Sequence, residues 1–214
     1  MVEAGFRPPE KVFEGKDGFC ERISGSLPVS AEGSAILPRT LIKQFPVQIF
    51  MQGLVELAGQ LRGRLQGGIA SIRSIDVSMS RQAVTILGGP GARTGRLNRE
   101  TADHTAGFAI AAVLHAGQLS PADYGRLLDD ETVLSLMGKV SLQEDAQASA
   151  AYPRHLPARL RARLADGREL EVSQSDPGSV DRDAFLRKLD TLWPADRTRD
   201  WPWRLGGSAP PFPR

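Results

Sequence analysis

Leu160-Arg161-Ala162-Arg163-Leu164-Ala165-Asp166-Gly167-Arg168-Glu169-Leu170-Glu171-Val172 reads as a β-hairpin whose register follows from its own residues. Side chains that face each other across an antiparallel pair share one face of the sheet. A two-residue Asp166-Gly167 turn would set Leu164 against Glu169. A three-residue loop from Ala165 to Gly167, with Gly167 left-handed, instead opposes Arg163 to Glu169, Ala162 to Leu170, Arg161 to Glu171 and Leu160 to Val172. The second register keeps charge with charge and apolar with apolar, so it is the one expected. Arg159, Arg161 and Arg163 then form a salt-bridged outer face opposite Glu169 and Glu171, which is a simpler account of them than nucleic-acid binding.

Upstream of the hairpin the pattern alternates between helix and strand. From Pro46, Phe50, Leu54, Leu57 and Leu61 recur at three- and four-residue spacing until Gly63, and Met51, Val55 and Ala58 widen the stripe, which predicts a helix buried on one side. Ile75, Val77 and Met79 alternate with polar residues as in a half-buried strand. A Gly- and Arg-rich loop from Gly88 to Arg99 leads to a second helix over 103–116, so rich in small and apolar residues that it must pack on several sides. Ser120-Pro121 caps a further turn, Asp130 to Met137 makes a short helix, and Lys139 to Gln143 a strand. After the hairpin, Asp181 to Trp193 is amphipathic. Helix, strand, helices, strand, hairpin and helix in that order predict an α+β domain, a small antiparallel sheet covered by helices, over 41–193. Residues 1–40, interrupted by Gly and Pro, read as an irregular lead-in, and 194–214, rich in Pro and Trp, as an irregular tail.

The 214-residue chain suffices for one good core or two small ones. Its longest apolar run, Phe108 to Leu114, is far shorter than the roughly 20 residues of a membrane span. The first residues carry no export signal, so a cytoplasmic setting without membrane association is expected. A single cysteine, Cys20, excludes an internal disulfide, and His104, His115 and His155 are too scattered for a metal centre, so neither metal nor cofactor is expected. His115 and His155 carry no site signal. The Gly88–Arg93 loop lacks the Gly-Lys-Ser/Thr ending of a phosphate loop. A net charge of +2 permits anionic ligands and falls well short of a nucleic-acid footprint.

Chemistry concentrates in two stretches that open helices, Ile42-Lys43-Gln44-Phe45-Pro46-Val47-Gln48 and Thr101-Ala102-Asp103-His104-Thr105. A helix entrance carries unpaired N–H groups and a partial positive charge that suit a carboxylate, and Lys43 would add to that pull. Only five of the 27 basic residues are lysines, which makes Lys43 less ordinary as surface filler. The plainer alternatives are a solvated loop lysine for Lys43, an N-cap for Asp103, and a capping or core histidine for His104.

Taken together, these segments resemble the C-terminal part of the MmgE/PrpD family, which includes 2-methylcitrate dehydratases and cis-aconitate decarboxylase. The resemblance runs from about residue 10 to 193. It rests on Lys43-Gln44-Phe45-Pro46-Val47-Gln48-Ile49-Phe50-Met51-Gln52 and Ala102-Asp103-His104-Thr105-Ala106-Gly107-Phe108. The later Asp-Gly hairpin, Asp176-Pro177-Gly178 and Arg187-Lys188-Leu189 then follow in family order. It implies an α+β lid that closes over an active site shared with a large helical domain. That domain, with catalytic histidines and an aspartate, corresponds to sequence before Met1, and the family's closing helix to sequence after 193. The resemblance assigns catalytic roles to Lys43 and His104 and substrate contacts to Lys43, Gln48, Gln52, Asp103 and Phe108. Phe108 stands where an active-site Tyr is usual, Gln48 replaces a Glu and Phe50 a His. Acid–base groups typically contribute about 10²–10⁴-fold each, so these departures weaken the chemistry expected of this chain alone.

The leading expectation is the lid of a 2-methylcitrate-dehydratase-like hydro-lyase acting on a hydroxy tricarboxylate, with a separately encoded helical half or a second copy as partner. The rival expectation is a catalytically inactive binding or interaction module derived from the same family.

Overall fold

In a computed structural model, the described residues are Lys16, 18–24, 42–88, 97–178, Asp183, Phe185 and Lys188. The chain divides into two compact units, Met1–Thr40 and Leu41–Arg214. In the first, the described residues are Lys16 and 18–24, of which Cys20–Ser24 form a π-helical turn. The expected irregular lead-in lies otherwise outside the described residues, as do the 194–214 tail and most of the Asp181–Trp193 helix, of which Asp183, Phe185 and Lys188 are helical.

The second unit is an α+β fold. A 3₁₀ turn, Ile49–Met51, leads into α1, Gln52–Arg64. A second 3₁₀ turn, Ile69–Ser71, precedes β1, Ile72–Met79. There follow α2 (Arg81–Leu87), α3 (Arg99–Ala102), α4 (Ala106–Ala116), α5 (Tyr124–Leu127), α6 (Glu131–Met137), β2 (Val140–Glu144), α7 (Ala146–Ala151), β3 (Ala158–Leu164) and β4 (Glu169–Gln174). The four strands form one sheet in the order β2-β1-β3-β4.

The hairpin adopts the charge-matched register, with Arg163 opposite Glu169, Arg161 opposite Glu171, Ala162 opposite Leu170 and Leu160 opposite Val172. Its three-residue loop turns through Gly167 at φ 87°, a conformation that only glycine enters without strain. Arg161 meets Glu171 at 3.0 Å and Arg163 meets Glu169 at 3.0 Å on the outer face. Arg163 also reaches Asp76 of β1 at 3.3 Å.

The sheet differs from the wholly antiparallel one expected in one pairing. β1 lies antiparallel to β3 but parallel to β2, with Ile75 opposite Val140 and Met79 opposite Glu144. A parallel neighbour requires a crossover, which α2 to α6 supply.

The inner face of the sheet (Ile72, Ile75, Val77, Met79, Leu160, Ala162, Leu164, Val172) is buried. α1 packs on β3, β4 and α4, and α4 on α6. Every residue of α4 from Ala106 to Leu114 is buried, as its composition requires. Gly107 lets α6 approach: a Cβ there would lie 3.0 Å from Met137 Cγ. Arg62 of α1 donates to the carbonyls of Leu114 and His115 at the end of α4.

Both expected helix entrances are displaced. α1 begins at Gln52 rather than Pro46, because the Gln52 side chain binds the amides of Gln44 and Phe45 and the carbonyls of Phe45 and Val47, holding 44–47 in a bend. α4 begins at Ala106 rather than 103, because Asp103 closes α3 and a turn intervenes. Ser120 does not cap a helix directly; its amide and hydroxyl both donate to Asp123, and α5 starts after Asp123. Burial pushes the Asp123 carboxyl up, but these bonds together with Arg126 hold it below the usual carboxylate range. Among the described residues no helix is long and apolar enough to cross a membrane, and no group of three His, Cys, Asp or Glu could hold a metal ion.

Candidate functional site

One buried side chain sets the conformation of the loop that carries Lys43. Gln52, 2% exposed, accepts at Oε1 from the amides of Gln44 (2.8 Å) and Phe45 (2.9 Å). Its Nε2 donates to the carbonyls of Phe45 (3.0 Å) and Val47 (3.1 Å). Two acceptor and two donor positions are thereby all in use. Gln48 Oε1 accepts from the Phe50 amide at 2.6 Å, closing the 3₁₀ turn, and the Gln48 amide donates to the Asp103 carbonyl at 2.9 Å. The Tyr124 hydroxyl donates to the Pro46 carbonyl at 2.6 Å, and the Lys188 ammonium donates to the Lys43 carbonyl. The loop is therefore tied to α1, α3, α5 and the segment at Lys188.

Lys43, Pro46, Val47, Arg99, Asp103 and Tyr124 line a solvent-open cleft of about 230 Å³. Lys43 and Arg99 are both exposed, and among the described residues neither has a carboxylate within salt-bridge distance. The Arg99 guanidinium lies over the Tyr124 ring, 5.9 Å from its centroid. Tyr124 itself is 2% exposed and packs on Phe108 with ring centroids 5.6 Å apart. Burial pushes the Tyr124 phenol well above its ordinary pKa; the Asp103 carboxylate adds to this and Arg99 opposes it. The phenol stays protonated across the physiological range.

The sequence-derived candidates separate into two groups. Lys43 and Asp103 are brought together on the cleft. His104 stands beside it, Nδ1 against the Asp103 carboxylate and 3.3 Å from the Glu100 carbonyl, with its side chain 58% exposed. Gln48 and Gln52 are engaged with backbone, and Phe108 is a core residue that reaches the cleft only through Tyr124. The N–H groups expected at the α1 entrance are not free for an anion at Pro46, since Gln48 and Gln52 take those of Phe50, Gln44 and Phe45.

Sequence reasoning passed over Arg99 and Tyr124. Arg99 had a local signal: Asn98 and Thr101 form a reciprocal capping box that starts α3 and fixes where Arg99 sits. Tyr124 had none, because its role comes from a contact with Pro46 far away in the chain.

Residues 45–190 match the family model for the MmgE/PrpD C-terminal domain. The chain belongs to the MmgE/PrpD C-terminal domain family. A search among curated proteins finds no match. The MmgE/PrpD match contains Gln48, Gln52, Arg99, Asp103, His104, Phe108 and Tyr124, and begins two residues after Lys43. It thus takes in the whole cleft except the lysine that precedes its first residue.

Proposed function

We propose that this MmgE/PrpD domain is the lid of a hydro-lyase of the 2-methylcitrate dehydratase type, and that the Lys43 cleft holds carboxylates of a hydroxy tricarboxylate. The observation that carries this reading is the pairing of Lys43 and Arg99 on one small cleft, with no salt-bridge partner for either among the described residues. Dehydration of such a substrate requires cations to hold carboxylates, a base for the carbon-bound proton and an acid for the departing hydroxyl. Lys43 and Arg99 supply the first requirement. Tyr124, whose hydroxyl donates to the Pro46 carbonyl, ties the wall of the cleft together. The base and acid would come from a helical half encoded separately, or from a second copy, closing over the cleft beside His104 and Asp103.

Thermal melts of the full chain with citrate, 2-methylcitrate or cis-aconitate, alone and mixed with a candidate helical partner, test this. Ligand at a hundredfold its dissociation constant stabilises by about 2.7 kcal/mol, a plainly visible rise in Tm. No rise with any tricarboxylate in either mixture contradicts the reading.

A second reading, a binding module that holds the acid without turning it over, is favoured by a specific observation. Phe108 offers no hydroxyl, and Gln48 and Gln52 are bonded to backbone, so three of the positions assigned to substrate serve the fold. It predicts the same melting shift but no unsaturated product when the partner is present.

A further inference from the structure

We propose that Lys188 is a positioning residue for Lys43, holding one side of a peptide unit that Gln52 holds from the other; this applies whatever the cleft binds. Lys43 lines the cleft, so the direction of its side chain decides where its charge falls. That direction is set by the backbone on either side of its Cα. Gln52 grips the loop only from Gln44 onward, at the amides of Gln44 and Phe45 and the carbonyls of Phe45 and Val47. Among the described residues, the one hydrogen bond to Lys43 itself is the donation from the Lys188 ammonium to its carbonyl.

The Lys43 carbonyl and the Gln44 amide belong to the same peptide unit. That unit is planar and trans, so its C=O and N–H point in opposite directions. Gln52 Oε1 accepts from the N–H at 2.8 Å, and Lys188 donates to the C=O. A single hydrogen bond leaves a peptide plane free to rock about it. Clasped at both ends, the plane is held against rotation, and with it ψ of Lys43 and φ of Gln44.

The chain that carries Lys188 is anchored on the same helix as Gln52. Glu56, one turn after Gln52 in α1, accepts from the Gly178 amide at 3.0 Å and from Gln174 Nε2 at 3.0 Å. Asp176 Oδ1 accepts from the Leu156 amide at 2.9 Å. A Cβ on Gly178 would lie 2.8 Å from Glu56 Oε1, and one on Gly53 would lie 2.5 Å from Gln174 Nε2, so glycine at both positions permits the approach. Successive turns of α1 thus fasten the Lys43 loop, through Gln52, and the chain beyond β4, through Glu56.

Amide hydrogen exchange of the full chain without ligand, followed by NMR in wild type, Lys188→Met and Lys188→Arg, tests this. In Lys188→Met the Gln44 amide is expected to exchange about threefold faster or more, because one clasp of its peptide unit is gone. Ile110, inside the buried helix α4, is expected to keep its wild-type rate. Lys188→Arg, which keeps a charged donor, is expected to stay close to wild type at Gln44. A wild-type rate at Gln44 in Lys188→Met overturns the proposal. So does equal acceleration at Gln44 and Ile110, which would make the effect one on the whole fold, and so does a Lys188→Arg variant as fast as Lys188→Met. No ligand is present, so a failure here leaves the tricarboxylate reading to its own test by thermal melts.

Discussion

Gln52 and Phe108 illustrate how a residue in a family motif can serve the fold. Gln52 gathers the Gln44–Val47 backbone around its amide, and the orientation of Lys43 follows from that. Replacing it with Ala leaves several partly buried backbone groups unpaired. We expect Gln52→Ala to lower stability by about 2–4 kcal/mol, measured as a lower urea midpoint at unchanged slope, with tricarboxylate binding lost alongside. A variant that binds poorly but is as stable as wild type would instead make Gln52 a ligand group. Neither role can be told from the motif, since a glutamine that holds a loop and one that holds a substrate are the same letter. Phe108 is similar: a helix apolar on every side has no polar face from which to infer which residue meets a cleft.

At the level of elements, the hairpin was legible because one local rule, matched charges and matched apolar groups on each face, admits a single register. The helix entrances were not, because Gln52 and Asp103 draw the backbone into turns that hydrophobic spacing does not register. Glycines divide along the same line between exposed and packed faces. Gly59, exposed within α1, would meet nothing within 4 Å if given a Cβ, whereas at Gly107 in α4 a Cβ would lie 3.0 Å from Met137 Cγ and 3.4 Å from the Met137 carbonyl. Gly59→Ala is expected to raise stability by about 0.5–1 kcal/mol through helix propensity, and Gly107→Ala to lower it by about 1 kcal/mol by pressing α4 from α6. Denaturant melts of the two variants check both signs, and a stabilised Gly107→Ala would contradict the close α4–α6 packing.

For the molecule as a whole, element order was enough to specify an α+β class but not the direction of β2. Its edge position beside β1 suits either sense, and the crossover through α2 to α6 selects the parallel one. The cleft was still less legible, since it assembles Lys43, Pro46, Val47, Arg99, Asp103 and Tyr124 from separate segments. What the sequence did carry was Lys43 and Asp103, two of its members, through their place in two helix-opening stretches and through family resemblance rather than through periodicity. The central claim is that these segments form one anion-holding surface, and amide chemical-shift mapping with citrate tests it most directly. The account predicts dose-dependent shifts clustered at Lys43, Val47, Arg99, Asp103 and Tyr124. Shifts confined instead to the Arg159–Arg161–Arg163 face of the sheet, or none at any citrate concentration, would contradict it.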